Sequence, residues 1–363
     1  MSIASHTDDW PSVLGRVSSL IDLDVTARES KALLRCRGVR QASDLLRLAL
    51  AYGPGGQSLR EASAWALLQG VGSLSSQALM NRLRGASDWL EVIAGCLLAE
   101  ASSSALAAGR RVRAVDASVI PAPGSGKNWR LHAVYELREQ RFSHLELTDI
   151  HGAEGLERVP VEANDVVLGD RVFARPDGLR HVVDGGGDFV VRLGSRSLSL
   201  QGPDGAALDL MGVLAESARA GSADLPVLIG HGRKRDWKPL PARLIVLPKP
   251  PEAAERARQK ARRASQRGGH QNDPASLEAA GYLMLITSLP DNAYSAARIL
   301  DLYRTRWQIE LAFKRLKSLL RIDQLPAKDP ALARAWILAH LIVAAIIDDI
   351  SPDFRDSPPS EHQ

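Results

Sequence analysis

Four residues near the C-terminal end of the chain combine reactive side chains at a helical spacing: Tyr303, Arg306, Glu310 and Lys317. On one continuous helix, at roughly 100° per residue, they project within about 60° of one another. Such a face presents a phenol, a guanidinium, a carboxylate and an ammonium together. A carboxylate able to hold a divalent cation, beside cations able to grip phosphates, is the equipment for cutting a nucleic-acid backbone. A plainer account competes. Arg306, Glu310 and Lys314 also form an i,i+4 charge ladder, worth about 0.2–0.5 kcal/mol per pair on a solvated helix. In that account Trp307, Ile309, Phe313 and Leu316 are simply its core contacts. The catalytic account needs partner carboxylates from elsewhere in the chain.

Two aspartates meet that need. A two-metal phosphoryl-transfer centre takes about three carboxylates converging from different elements, with the ions roughly 3.5–4 Å apart. Strand ends suit such groups because a rigid sheet fixes their position. Arg111-Val112-Arg113-Ala114-Val115-Asp116 alternates and ends in Asp116, and the apolar run Val166-Val167-Leu168-Gly169 leads into Asp170. An Asp at a strand end is also a common turn former or N-cap; the conjunction with Glu310 is what favours a site. Asp165, Asp184, Asp188 and the pair Asp348-Asp349 are rival carboxylates. Asp165 precedes its strand and so faces the wrong end, and the others lack a cationic phosphate-gripping context. The nine histidines show no paired metal spacing. Gly124-Ser125-Gly126-Lys127 lacks the leading Gly and trailing Ser/Thr of a phosphate loop and reads as a surface turn. Gly185-Gly186-Gly187 reads as a helix-to-strand loop.

The elements that must position these residues follow from periodicity. Residues 1–105 read as all-helical and as a candidate DNA-binding unit. Thr26 with Glu29, and Ser58 with Glu61, have capping-box spacing. Ser58–Gln69 and Ser76–Arg84, with Arg82 and Arg84 near the end of the second, have the outline of a helix-turn-helix. From residue 111 three consecutive antiparallel strands are expected (Arg111–Asp116, Arg130–Leu137, Phe142–Asp149), with a turn at Arg138–Gln140. The strand ending at Gly169, a short helix at Gly178–Val183 and a strand from Asp188 to Leu193 follow. This pattern predicts an α/β fold, a mixed sheet with helices packed on it. Residues 195–281 break the rhythm as a β-rich, basic insertion with short β-like pieces at Pro226–Gly230 and Ala242–Leu247. Basic stretches flank them at His231–Arg235 and Arg256–Arg267. A strand at Gly281–Thr287 and a helix over Ala293–Leu320 resume the core, so 106–194 and 282–350 form one unit. Residues 351–363 read as a frayed tail.

Composition sets outer limits. The 363 residues are 45% hydrophobic and 24% charged, which reads as a soluble globular protein of two or three units. Net charge is only +4, so a polyanion site must come from local clustering of cations. Cys36 and Cys96 read as buried free thiols in a reducing compartment. The apolar run Ala335–Ile347 is short for a bilayer and reads as a core helix, so no membrane partner is expected and the cytoplasm is the expected location.

Taken together, these motifs resemble those of the bacterial insertion-sequence DDE transposases of the insertion-sequence-four group. The spacing Tyr303, Arg306, Glu310, Lys317 is similar to that family's signature. Asp116-Ala117-Ser118 and Leu168-Gly169-Asp170-Arg171 match its two aspartate motifs, and Trp129–His132 and Ser58–Glu61 also look familial. The resemblance spans about residues 10–350. It implies an RNase H-like catalytic core with an insertion after the fifth strand. It implies Asp116, Asp170 and Glu310 as ligands of two Mg²⁺ (or Mn²⁺) ions, and Tyr303, Arg306 and Lys317 as contacts to the transposon end. Its implied partners are double-stranded DNA, both terminal inverted repeats and target, and a second copy in a synaptic homodimer on nucleoid DNA. Where relatives form a hairpin with an extruded base, Tyr282 is the candidate stacking residue. The alternative is a catalytically inactive DNA-binding protein derived from such an enzyme, which a shorter C-terminal region than many relatives carry would suit.

Overall fold

Period-two alternation builds the centre of the molecule. In the computed structural model, which describes residues 10–103, 110–124, 128–139, 141–232, 236–267 and 273–350, nine strands form one sheet. They are β1 (Arg111–Ile120), β2 (Trp129–Glu136), β3 (Arg141–Asp149), β4 (Asp165–Gly169), β5 (Asp188–Arg192), β6 (Ser199–Gln201), β7 (Ala223–Gly230), β8 (Leu240–Pro248) and β9 (Tyr282–Thr287). The spatial order is β3-β2-β1-β4-β5-β9-β8-β7-β6. β1, β4 and β5 run parallel, and every other neighbouring pair is antiparallel.

Alternate residues feed two cores, one on each face. Ala114, Leu168, Val190 and Leu285 belong to one, whereas Val115, Val167, Val191 and Ile286 belong to the other. Because parallel strands need crossovers, helices cover both faces. The first face carries α1 (Trp10–Ser18), α2 (Leu23–Glu29), α3 (Ala42–Tyr52), α4 (Leu59–Leu68), α5 (Ser76–Gly85) and α6 (Ser87–Ser103). It also carries α11 (Ala296–Arg304), α12 (Trp307–Leu320) and α13 (Pro330–Ile350). The second face carries α7 (Pro176–Asp184), α8 (Leu210–Ala220) and α10 (Pro274–Ala280), with α9 (Pro251–Arg267) packed on α10. The apolar helix α13 is long enough to cross a membrane by length alone, but Ile337, Ala339 and Ile342 are fully buried among the helices of the first face.

Several elements differ from the sequence reading. Thr26 is not an N-cap: α2 starts at Leu23, Asp22 accepts from Asp24 and Val25 N–H, and the Thr26 hydroxyl donates back to Asp22 O. An earlier, better cap pre-empts the later one. The Ser58–Glu61 capping box is present. Arg82 of α5 donates to Arg35 O and Arg37 O, and Arg84 pairs with Asp329 at 3.0 Å, so both cations near the end of the helix pair hold the fold. Cys36 is exposed in the irregular loop after α2, which leaves the helix through Lys31 at φ 61°; Cys96 is half-buried in α6. The segment 195–281 is less β-rich than expected. Three strands share it with three helices, and the strands lengthen the common sheet by pairing β8 with β9. The Gly185–Gly187 loop joins α7 to β5, with Gly186 at φ 78°. The expected turns at 125–127 and 140, the basic residues 233–235 and the tail 351–363 lie outside the described residues.

Candidate active site

Register across three parallel strands places the first groups. Ala114 pairs with Leu168, and Leu168 with Val190; all three side chains enter the first core. Two residues further along each chain stand Asp116, Asp170 and Arg192. Side chains alternate with period two, so all three follow the same face at the carboxyl edge of the parallel strands. Asp116 does not end its strand as the sequence suggested, because β1 continues beside β2 to Ile120. What ends at Ala114 is the parallel ladder with β4, and that gap frees the Asp116 side chain. Asp170 stays extended (φ −82°, ψ −171°) and caps the short 3₁₀ turn Arg171–Phe173 by accepting from Val172 N–H at 2.8 Å.

Glu310 comes to this edge from above. Ile309 and Phe313 of α12 are buried in the first core, and the Phe313 ring lies 5.9 Å from that of Phe142 on β3. The expected single helix over 293–320 is broken. α11 ends at Arg304, and Thr305 and Arg306 form a tight turn before α12. Tyr303 therefore sits at the end of one helix, Arg306 in the break, and Glu310 and Lys317 in the first and last turns of the next. Arg306 forms a salt bridge with Glu310 and lies 5.9 Å from the Tyr303 ring centroid. Lys317 shares with Glu310, Lys314 and Arg321 the wall of an open cleft of about 420 Å³. Trp307, expected in the core, is 53% exposed beside the break. The side chain of Leu316 lies outside the described set.

The electrostatics tie these groups together. The Asp116 carboxyl is pushed up to about 6, chiefly by burial and also by the charges of Asp170 and Glu310, against the opposing pull of Ala117 N–H and Arg306. Tyr303 is raised by burial, against the pull of Arg306 and Arg192. Arg192 is itself lowered by burial, within reach of Tyr303, Arg171, Arg306 and Asp170. Asp116 thus lies within electrostatic reach of Asp170, Glu310 and Arg306, and Arg192 within reach of Asp170, Arg171 and Arg306. Arg171 belongs to the aspartate motif read from the sequence, whereas Arg192 does not, because only the pairing of β4 with β5 brings it to the same edge as Asp170.

The donors suit a hard divalent cation, since all are carboxylate oxygens and their mutual repulsion is what such an ion relieves. Among the described residues, however, no three His, Cys, Asp or Glu side chains are grouped as ready-made ligands. Glu310 is instead turned to Arg306. Of the rival carboxylates, Asp165 is fully buried between Arg111 and Arg113, each at 2.7 Å. Asp188 is held by Arg110 and by the Ser288 hydroxyl at 2.6 Å. Tyr282 opens β9 opposite Pro248, at the sheet edge beyond Arg192, and its hydroxyl donates to Glu278 Oε1 at 3.4 Å.

Carboxylates at the edge of parallel strands, within electrostatic reach of one another and of arginines, suit work on phosphodiesters, and the family agrees. Residues 107–346 match the transposase DDE domain, and the chain belongs to that family. It is 44% identical over 359 residues, 98% of its own length and 97% of the relative's, to a putative transposase InsL for insertion sequence element IS186A of Escherichia coli (strain K12). It is equally similar, over 360 residues, to the transposase for insertion sequence element IS421 of Escherichia coli. A solved piggyBac transposase synaptic complex with hairpin DNA aligns over 92% of this chain and 71% of that one, at TM-score 0.44 and 8% identity. The protein is an insertion-sequence DDE transposase, a DNA-cleaving enzyme of a family that uses divalent metal ions.

Proposed function

We propose that this transposase moves its element by cut-and-paste transposition: hydrolysis at the transposon ends, then transfer of the freed 3′-OH to target DNA. Asp116, Asp170 and Glu310 would hold two Mg²⁺ or Mn²⁺ ions. The chemistry such ions supply when bound is activation of the attacking oxygen and stabilisation of the leaving one. The observation that carries the reading is the register of β1, β4 and β5, which sets Asp116, Asp170 and Arg192 along one edge of the sheet, with Glu310 and Arg306 in electrostatic reach of Asp116.

The chain's own side chains supply the grip. Arg306 and Arg192 present guanidinium groups suited to bidentate phosphate contacts, and Lys317 adds a point charge along the cleft. Tyr303 lies among these arginines and offers its hydroxyl to the same backbone. For an unpaired base, Trp307 is the more accessible stacking face, because Tyr282 is partly buried against the second core. Five strands precede the insertion, which follows β5, and this order supports an RNase H-like core. The helices of residues 1–105 are the proposed DNA-binding region, and the same reading gives a synaptic homodimer on nucleoid DNA.

The test uses purified protein, Mg²⁺ or Mn²⁺, and a duplex carrying one end of the protein's own element. Wild-type protein should nick this duplex. Asp116→Ala, Asp170→Ala and Glu310→Ala should each abolish nicking while retaining DNA binding. Wild-type cleavage by the Glu310 variant would overturn the assignment.

A further inference from the structure

Helix α9 carries a second concentration of positive charge, apart from the arginines of the carboxylate site. Arg256, Lys260, Arg263 and Arg267 recur at steps of four, three and four residues, so at roughly 100° per residue they fall within about 60° of one another. All four are exposed. The opposite side of the helix faces the protein: Ala254 is buried, Ala261 is half-buried, and Arg258 reaches Glu278 at 3.3 Å. The acidic residues of α9 are already committed, Glu252 to Arg256 at 3.6 Å and Glu255 to Arg262 at 3.3 Å. Among the described residues, no carboxylate pairs with Lys260, Arg263 or Arg267.

The place of this helix matters as much as its charge. β8 ends at Pro248, opposite Tyr282, at the edge of the sheet where Arg192 lies. Lys249 follows, its ammonium donating to Ala280 O at 2.6 Å and lying within electrostatic reach of Arg192, Arg171 and Arg258. α9 begins two residues later. It therefore leaves the sheet from the catalytic edge. From Arg256 to Arg267 the stripe is roughly 16 Å long at 1.5 Å per residue. Its part without acidic partners, Lys260 to Arg267, covers roughly 10 Å, about three phosphate steps along one strand at about 3.4 Å each.

We propose that the outer face of α9 binds the phosphate backbone of duplex DNA beside the cleavage site, through Lys260, Arg263 and Arg267 and without reading sequence. This rests on the transposase reading and adds to it a DNA contact within the 195–281 segment. Cations in regular array without acidic partners fit a polyanion of regular charge spacing, and each phosphate neutralised releases counterions.

The experiment compares full-length wild-type protein with the triple variant K260Q/R263Q/R267Q. Binding of a fluorescent duplex of arbitrary sequence is followed by anisotropy from about 50 to 200 mM salt, in chelator. Three contacts at a slope of about 0.9 each mean that wild type should lose about 40-fold more affinity than the variant over this range. Arg262→Gln, on the flank of the stripe and already paired with Glu255, serves as the control and should keep the wild-type slope. Equal slopes for wild type and the folded triple variant would overturn the proposal while leaving the catalytic reading intact. Loss of slope in the Arg262 control as well would overturn the stripe as the contact, in favour of diffuse charge. Failure of wild type to bind duplex DNA at all would overturn both readings. Thermal melting checks that the variants fold.

Discussion

Replacing Asp165 by Asn should damage the fold and spare the chemistry, and replacing Asp116 by Asn should do the opposite. Asp165 is fully buried and accepts from Arg111 Nε at 2.7 Å, Arg113 Nη1 at 2.7 Å and Glu162 N–H at 2.9 Å. Removing its charge takes from Arg113 its hydrogen-bonded carboxylate and leaves Arg111 only the exposed Glu162 at 2.9 Å, which costs about 3–5 kcal/mol. For one cooperative unit of 363 residues, at about 2.1 cal/mol/K per residue, that lowers Tm by about 4–7 °C. Asp116 is the reverse case, because its ionised form is disfavoured by burial. Its pKa rises from 3.8 to about 6, so the folded chain keeps a proton that the unfolded chain has released. The resulting cost appears as pH rises through this window and reaches at most about 3 kcal/mol above it. Asn carries no such proton. In chelator, Asp116→Asn should melt above wild type at pH 8, with the gap closing toward pH 4. Melting by calorimetry and nicking assayed well below the lower Tm separate the two roles. An Asp165→Asn protein with wild-type Tm, or an Asp116→Asn protein that melts below wild type at pH 8, would refute the reasoning. So would nicking by the Asp116 variant.

Two further outcomes can be checked on the same material. His132 is buried, and burial, followed by the charges of Arg158, Arg130 and His144, lowers its pKa from 6.5 to about 4. The unfolded chain takes up a proton near pH 6.5 that the folded chain refuses until about 4. Stability is therefore full above 6.5 and falls by about 3 kcal/mol as pH drops through that window. His132→Gln should flatten this dependence in denaturant melts, and an unchanged slope would count against it. Trp307→Ala should leave Tm nearly unchanged, since over half of the side chain is exposed, but should slow end processing, with Trp307→Phe restoring it. A loss of about 3–5 kcal/mol in the Ala variant would return Trp307 to the core.

The sheet was the most legible part of the chain. Alternation along Arg111–Asp116, Arg130–Leu137 and Phe142–Asp149 marks three strands because alternate residues of each feed the first core and each pairs with its chain neighbour. The extension of that sheet by β6–β8 was not legible. Pairing between β8 and β9 bridges a long sequence separation, and nothing local to Ala242–Leu247 states which edge it will join. Helix α9 was hidden for another reason. α9 is so rich in charge that only small residues mark its inner side, buried Ala254 and half-buried Ala261. In the site, residue types near Asp116, Asp170 and Glu310 were readable, whereas Arg192 required the register Leu168↔Val190 to reveal that it lies beside Asp170.

The break between α11 and α12 shows why spacing alone found these residues through the wrong geometry. Thr305 and Arg306 N–H bond to Leu302 O and Tyr303 O, and Gln308 and Ile309 N–H bond to Thr305 O and Arg306 O. These are i→i+3 bonds, the tighter 3₁₀ winding that interrupts helices where they turn. The Thr305 hydroxyl bonds back to Leu302 O at 2.6 Å, a contact that bends helices. On a straight helix Arg306 and Glu310 would be one rung of an exposed ladder, ending at Lys314. With the break, Arg306 is drawn inward to stand by Tyr303 and to feel Asp116, while Glu310 stays at the mouth, half exposed and joined to Arg306. An exposed carboxylate on one cation is a weak pair, so Glu310 is held at the site by a contact that a stronger electrostatic partner can displace. The charge ladder and the metal-ligand reading thus describe the same side chain, and the turn at Thr305–Arg306 is what allows both.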